Sequence, residues 1–153
     1  MSQNKPKTVL ASGFFDPPHR GHVEHLKAAR QLGDKLIVHI HRDECCVKKK
    51  GCCFMPLDDR KAIIENLKFV DEVVVCDEDC DLTVAKTLEK LKPSIFAKGG
   101  DRTIQNLPRS EVETCQKLGI KIVTGVGGGK VQSSSWIIEN LKKLITQGNV
   151  YNK

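Results

Sequence analysis

Two histidines, His19 and His22, stand three residues apart, shortly after an apolar run that ends at Gly13. A glycine at a strand end lets backbone N–H groups approach a ligand closely. The helical pattern that follows begins near Gly21, so both imidazoles flank a helix N-terminus, where free N–H groups and the helix dipole attract phosphate. A metal-binding pair or two surface histidines would show the same spacing, but a His-x-x-His pair is a weak signal for metal. The pattern therefore favours a phosphate site.

A second group of polar residues follows another short apolar run, in the stretch Lys98-Gly-Gly-Asp101. Two glycines allow the backbone to pack against a base or a sugar, and the Asp101 carboxylate can accept a hydrogen bond from a hydroxyl. A plain turn would use the same residues. The position at the end of a predicted strand favours a ligand-binding role.

The glycine-rich stretch over residues 125–135 resembles a P-loop only superficially. A P-loop would need glycine where Thr124 stands and a serine or threonine where Val131 follows Lys130. The three serines at positions 133–135 begin the last predicted helix, and a serine N-cap would by itself explain one of them.

Seven cysteines are present, four of them in the adjacent pairs Cys45-Cys46 and Cys52-Cys53. Adjacent cysteines do not reproduce the Cys-x-x-Cys spacing of tetrahedral zinc sites, and no matching histidine pair follows them. We therefore predict reduced thiols and no metal site there, with a redox or zinc-sensing role as the minor alternative. The remaining three are predicted to be packing residues: Cys76, Cys80 and Cys115.

Strand-like and helix-like patterns alternate along the chain. Strands are predicted over residues 8–12, 35–41, 72–76, 94–98 and 121–124, and helices over 21–32, 57–67, 82–91, 109–118 and 134–145. Residues 42–56 are predicted to be irregular. Strands separated by helices of roughly 10–15 residues require parallel crossovers. This predicts one α/β domain over residues 1–153, with a doubly wound, Rossmann-like parallel sheet that binds ligands at the carboxyl ends of its strands.

The run from Gly13 to His22, Gly-Phe-Phe-Asp-Pro-Pro-His-Arg-Gly-His, resembles the nucleotidylyltransferase superfamily with the His-x-Gly-His signature. The superfamily includes glycerol-3-phosphate cytidylyltransferase, heptose-1-phosphate adenylyltransferase and archaeal FAD synthetase. The resemblance extends from about residue 8 to residue 144. Such enzymes join a nucleoside triphosphate to a phosphorylated small molecule and release pyrophosphate. The resemblance implies nucleotide contacts from the following residues: Gly13, Phe14, Phe15 and Gly21.

The same resemblance implies roles for the loop after the second strand. In the resembling enzymes a lysine of this loop and an arginine that opens the next helix contact phosphates of the nucleotide and the acceptor. Arg60 matches the arginine, and Lys50, or as second choice Lys48, matches the lysine. A solvated basic loop is the alternative for each lysine. The adjacent cysteines of this loop depart from the family pattern.

The later motifs match in the same order. Lys98-Gly-Gly-Asp101 is similar to the motif of heptose-1-phosphate adenylyltransferases, and the triple serine resembles a Ser-Thr-Thr that holds the triphosphate at the start of the final helix. These matches imply nucleotide binding by Gly99, Asp101, Ser133, Ser134 and Ser135. Contacts to the substrate are expected from Asp16, Lys48 and Lys98.

The implied chemistry needs no general base, because a phosphate monoester has a second pKa of about 6 and is already largely ionised at pH 7. It needs in-line positioning and neutralisation of charge on the α-phosphate and the leaving pyrophosphate. The side chains expected to supply this are His19, His22, Lys50 and Arg60. Mg²⁺ is expected on the nucleotide phosphates rather than in a protein cage, with Asp16 as a minor contributor.

The substrates implied are CTP or ATP and a phosphorylated sugar or polyol, such as glycerol-3-phosphate or heptose-1-phosphate. Adenylyl transfer to FMN is the first alternative, and a non-catalytic nucleotide- or RNA-binding module is the alternative of another class. Neither the base nor the acceptor follows from the sequence. The resemblance also implies a homodimer.

Composition agrees with a small domain that binds anions. The 153 residues fit a single domain, and 25 basic against 19 acidic residues give a formal net charge of +6, which favours anionic partners. An aromatic content of 5% argues against a nucleic-acid surface. No apolar run approaches the ~18–20 residues that span a bilayer, and the first residues lack the apolar segment of a secretion signal. The sequence thus predicts a cytoplasmic protein.

Overall fold

A computed structural model describes residues 5–148, in which five parallel strands form one sheet. The strands are β1 (Thr8–Gly13), β2 (Lys35–Ile40), β3 (Glu72–Val75), β4 (Ile95–Ala97) and β5 (Lys121–Val123). Their order is β3-β2-β1-β4-β5, and every neighbouring pair is parallel. The predicted doubly wound sheet is confirmed.

Helices cover both faces of this sheet. They are α1 (Arg20–Arg30), α2 (Asp43–Lys50), α3 (Leu57–Glu65), α4 (Ala85–Leu91), α5 (Arg109–Leu118) and α6 (Ser134–Thr146). Because side chains alternate along a strand, β1 contributes to two cores. Val9 packs with Leu26 of α1 on one face. Leu10 packs with Leu88 of α4 and Cys115 of α5 on the other. No helix within residues 5–148 is long and apolar enough to cross a membrane.

The segment predicted to be irregular contains α2, so that prediction is wrong. The helix has acidic residues in its first turn, three lysines in its last turn and Gly51 at its end with φ +82°. These are the charges that suit a helix dipole and the residue that suits a left-handed C-terminal position. Its buried residues are the adjacent Cys45 and Cys46, so the sequence of this helix lacks the usual aliphatic residues at helical spacing.

The structure also corrects the prediction of reduced thiols throughout the chain. Cys45 forms a disulfide with Cys80, although 35 residues separate the two in sequence. Helix α2 lies against the loop that follows β3, and this contact brings the two Cα atoms to 5.2 Å. Cys76 is buried in the same small cluster as a free thiol. Sequence spacing could not reveal a pair that tertiary packing creates.

The strand order reverses beside β1. The chain winds outward from β1 through β2 to β3, then returns to place β4 on the other side of β1. In such sheets the loops at the reversal diverge and leave a crevice at the carboxyl ends of the strands. The loops after Gly13 and Ala97 therefore border the same opening.

Candidate active site

A cavity of about 600 Å³ lies at the carboxyl ends of β1 and β4, and its size is typical of a small-molecule site. The β1–α1 loop, the start of α1, the loop after β4 and the segment before α6 line it. It brings together ten of the residues predicted from sequence: Gly13, Phe14, His19, Gly21, His22, Lys98, Gly99, Asp101, Ser133 and Ser134.

The two signature histidines lie side by side at the start of α1. Their rings stack with centroids 3.7 Å apart, and the backbone N–H of His19 donates to Nδ1 of His22 over 3.2 Å. With Nδ1 accepting, the neutral His22 ring carries its proton on Nε2. Burial, helped by the neighbouring His19, lowers the pKa of His22 to about 3. Burial and the charge of Lys130 also lower the pKa of His19. Both rings are therefore neutral N–H donors at pH 7.

Two helix N-termini converge on this cavity. The Ser134 hydroxyl, at the start of α6, donates to the Pro17 carbonyl of the β1–α1 loop over 3.0 Å. A Cβ placed on Gly21 of α1 would lie 3.2 Å from the Gln132 carbonyl, which shows how closely the two segments approach. Free N–H groups and helix dipoles at both N-termini favour an anion at this place.

The three serines at positions 133–135 differ in their contacts. Ser133 is the N-cap of α6, and its hydroxyl accepts a hydrogen bond from the Trp136 N–H over 3.1 Å. Ser133 and Ser134 line the cavity, whereas Ser135 is exposed and lies outside the lining. The N-cap explanation thus holds for Ser133, and its contact with phosphate stays a prediction.

His25 joins α1 to the loops after β4 and β5, and sequence reasoning missed it. Its Nδ1 lies 2.8 Å from the Val126 carbonyl. A Cβ on Gly99 would lie 2.5 Å from that nitrogen, and a Cβ on Gly127 would lie 2.8 Å from the His25 Cα. Glycine at these positions is therefore required for the close approach of the loops to the helix. The helical i+3 spacing from His22 was the signal that could have found His25.

Lys98 and Glu111 form a partly buried pair in the cavity wall. Lys98 Nζ donates to the Ser12 hydroxyl over 3.3 Å and lies 3.9 Å from Glu111 Oε2. Burial lowers the pKa of Lys98 and raises the pKa of Glu111. Glu111 Oε1 accepts from the Val84 N–H, while Oε2 has no hydrogen-bond partner within residues 5–148. Glu111 has no motif around it, so only the structure identifies it.

Arg60, for which a phosphate contact is predicted, lies outside the cavity lining. The side chain is fully buried. Its guanidinium donates to the carbonyls of Met55, Phe14 and His41 at 2.7–2.8 Å, and to Asp43 Oδ1 at 2.5 Å. In this arrangement its N–H donors are used to hold the loops after β1 and β2. These contacts give Arg60 a structural role in the described residues, and its phosphate contact stays a prediction.

Asp16 and Lys50 also hold a loop rather than line the cavity. The buried Asp16 carboxylate accepts hydrogen bonds from the N–H groups of Phe54 and Met55 and from Lys50 Nζ. Burial alone would raise the pKa of Asp16, but these hydrogen bonds and the Lys50 charge hold it below its usual value. The catalytic role of Lys50 and the substrate contact of Asp16 stay predictions.

Two further predicted contacts lie elsewhere. Lys48 Nζ donates to the Cys80 carbonyl over 2.9 Å, and Phe15 is buried in the core against Gly13. The basic side chain of α2 that does line the cavity is Lys49. Sequence reasoning favoured Lys50 and, as second choice, Lys48, and it did not consider Lys49.

Comparison with known proteins agrees with this geometry. A cytidylyltransferase-like family matches residues 10–140. The chain belongs to the cytidylyltransferase-like family. The recognition made from the His-x-Gly-His signature is confirmed.

Relatives within the family carry two kinds of name. The bifunctional protein HldE of Campylobacter concisus is 35% identical over 143 residues, which cover 92% of this chain and 28% of HldE. The FAD synthase of Pyrococcus abyssi is 34% identical over 123 residues, which cover 80% of each chain. This chain thus spans about a quarter of the HldE relative, and 60% of another FAD synthase, from Ferroglobus placidus.

A solved structure supports the same placement. The lipopolysaccharide core biosynthesis protein from Thermoplasma volcanium superimposes with a TM-score of 0.65 at 32% identity, covering 78% of this chain and 96% of that one. Thermotoga maritima TmcAL, at 14% identity and a TM-score of 0.67, shares the fold.

Proposed function

We propose that this protein transfers a nucleoside monophosphate from ATP or CTP to a phosphorylated small molecule and releases pyrophosphate. The observation that carries the proposal is the convergence of two neutral histidines and two helix N-termini on one cavity. Donors of this kind suit a triphosphate, and membership of the cytidylyltransferase-like family supports the reaction class.

In this mechanism a phosphate oxygen of the acceptor attacks the α-phosphorus of the nucleotide. A new P–O bond forms there as the bond to the pyrophosphate oxygen breaks, and no general base is needed. Negative charge grows on the α-phosphate and on the pyrophosphate. His19, His22 and the N–H groups of α1 and α6 donate to those oxygens, while Lys98 adds positive charge in the cavity wall.

The cavity suits Mg²⁺ as an ion carried by the nucleotide. Asp16, the carboxylate considered for it, already accepts hydrogen bonds on both oxygens, and Glu111 is paired with Lys98. Mg²⁺ bound to the triphosphate would neutralise part of its charge. The histidines and helix N-termini then orient the phosphates by hydrogen bonding.

Two classes of acceptor are supported by different relatives. The HldE protein and the lipopolysaccharide core biosynthesis protein favour a sugar or polyol phosphate. The FAD synthase of Pyrococcus abyssi, which this chain covers to 80% of its length, favours FMN. We place the sugar or polyol phosphate first. Both acceptors present a phosphate monoester, so the same cavity chemistry serves either. The homodimer stays a prediction.

The test begins with thermal shifts in Mg²⁺ with ATP, CTP, GTP and UTP, since a ligand at a hundredfold excess over Kd stabilises by ~2.7 kcal/mol. Pyrophosphate release is then measured with the selected nucleotide and glycerol-3-phosphate, heptose-1-phosphate or FMN.

His19→Ala and His22→Ala should each lower kcat/KM by ~30- to 1000-fold, which corresponds to ~2–4 kcal/mol. Arg109→Ala, at a side chain of α5 that is 91% exposed, is the control and should keep the wild-type rate. Wild-type kcat/KM in both histidine variants, or no pyrophosphate from any pair, would contradict the proposal.

A further inference from the structure

A second, much smaller cavity lies beside the active site, at the ends of β2 and β3. His39 and His41 are two residues apart and so lie on one face of the strand. Cys76 follows β3, and its N–H donates to the Ile40 carbonyl of β2 over 3.0 Å. One ring nitrogen of each histidine and the Cys76 sulfur lie within 4.8 Å of one another. These three residues line a cavity of about 10 Å³, which has room for one water-sized group.

The polar atoms of this cluster lack partners. His39 Nε2 and His41 Nδ1 are buried and have no hydrogen-bond partner within the described part of the chain, in residues only 1% and 4% exposed. Buried ring nitrogens without partners are destabilising, so each native example needs an explanation. A bound ion that accepts both lone pairs provides one.

The outer contacts suit metal-binding histidines. His39 Nδ1 lies 2.9 Å from the Thr87 hydroxyl, and when it donates there, Nε2 carries the free lone pair. Metal-binding histidines commonly fix their orientation through the other ring nitrogen in this way. Burial lowers the pKa of His39 to about 3 and that of His41 to about 4, so both rings are neutral at pH 7.

A fourth ligand is within reach. Cys45 Sγ lies 3.5 Å from Cys76 Sγ. Two thiolates on one tetrahedral zinc, each at ~2.3 Å, lie about 3.8 Å apart. In the structure Cys45 is bonded to Cys80, so it becomes available only when that disulfide is reduced.

We propose that His39, His41 and Cys76 bind one Zn²⁺ ion, with Cys45 as the fourth ligand when its disulfide to Cys80 is reduced. A dithiol reductant supplies the two electrons and two protons that convert the disulfide into two thiols. Zn²⁺ binding then releases the thiol protons of Cys45 and Cys76 to solvent. Nitrogen and sulfur ligands select zinc over Mg²⁺, which prefers oxygen, so this site is separate from the nucleotide-borne ion.

Such an ion would connect β2, β3 and α2 directly behind the active site. The His41 ring stacks on Phe14 at 4.3 Å, and both residues line the large cavity. The zinc would therefore fix the wall of the nucleotide site without taking part in the transfer reaction. Its presence does not depend on the proposed function.

The test is a Zn²⁺ titration of chelator-treated, reduced protein against a chromophoric competitor. We expect one equivalent of zinc, and Co²⁺ in its place should give the absorption bands of a tetrahedral ion with thiolate ligands. Cys76→Ser and His39→Gln should weaken binding by more than about 100-fold, and the positioning variant Thr87→Val by about 10- to 100-fold. Cys115→Ser is the matched control, because Cys115 is an equally buried free thiol on α5.

The variant Cys80→Ser tests the role of Cys45 as the fourth ligand. This variant frees Cys45 permanently, so without reductant it should bind zinc as tightly as the reduced wild-type protein does. No stoichiometric binding by the reduced wild-type protein would overturn the proposal, as would equal affinities in Cys76→Ser and Cys115→Ser. Circular dichroism of each variant shows whether it is folded, and the Cys80→Ser and Thr87→Val results stand if Cys76→Ser does not fold.

Discussion

Replacing Arg60 with lysine distinguishes a structural from a phosphate-binding role for this side chain, because lysine keeps the positive charge but not the planar set of donors. In the structure the guanidinium donates to three backbone carbonyls, of Met55, Phe14 and His41, and to Asp43. If Arg60 has a structural role, the substitution lowers the free energy of unfolding, and it affects phosphate binding less.

The magnitude follows from the acceptors that lysine leaves unpaired. Nη1 alone donates to the Phe14 and His41 carbonyls, so one lysine ammonium could replace it there, whereas the Met55 carbonyl loses the donor that Nε supplied. Each unpaired buried acceptor costs about 1–3 kcal/mol. The ion pair with Asp43 adds little, because the Asp43 side chain is 43% exposed. We expect a loss of about 1–3 kcal/mol from a total stability that is about 5–15 kcal/mol in most domains.

Urea unfolding followed by circular dichroism measures this loss as a lower midpoint at an unchanged slope. Arg102→Lys is the control, since Arg102 is an exposed arginine that lines the cavity. An Arg60→Lys protein with the wild-type midpoint and a much lower kcat would refute the reasoning. That result would restore the phosphate contact implied by the resemblance.

Two further predictions concern the start of α1 and the loops beside it. His22 has a folded pKa of about 3, below its usual 6.5, so as pH falls the unfolded state takes up a proton first and stability declines between pH 6.5 and 3. From pH 7.5 to 5.5 the loss of unfolding free energy due to His22 is about 1.4 kcal/mol. Urea unfolding at these two pH values should show that His22→Gln removes this loss. The same pH dependence in both proteins would exclude the lowered pKa of His22. Gly99→Ala places a Cβ 2.5 Å from His25 Nδ1, which forces the ring from the Val126 carbonyl and should destabilise by about 1–3 kcal/mol in thermal unfolding. Gly129→Ala, where a Cβ meets open space, should change stability little, and equal effects in the two glycine variants would contradict the explanation.

The elements that sequence reasoning found are those with regular apolar patterns. The strand β2 is a largely apolar run that is buried from Leu36 to Ile40, and the buried residues of α5 stand at helical spacing. Helix α2 lacks such a pattern, because Cys45 and Cys46 form its buried side and Val47 is half exposed. Its terminal charges and Gly51 were the available signals. A search for apolar periodicity does not detect charges and glycines at helix ends.

The proposed zinc site includes one local pattern that sequence reasoning did not use. Two histidines two residues apart in a predicted strand, at 39 and 41, share one face of the sheet, and this much is local. Their approach to Cys76 depends on the pairing of β2 with β3, which joins residues more than 30 positions apart. The spacing of these residues along the chain does not show how close Cys76 lies to the two histidines.

The sequence by itself determined the fold class, the family and the candidate pair His19 and His22 at the start of one helix, because these depend on periodicity and on residues within one helical turn. Only the tertiary structure decided which basic side chains face the cavity. Arg60 is buried in the interior, and Lys49 lines the cavity. It also decided the disulfide of Cys45 with Cys80. The physical reason is the same in each case: side-chain direction and contacts between distant segments arise from packing, which no local pattern encodes.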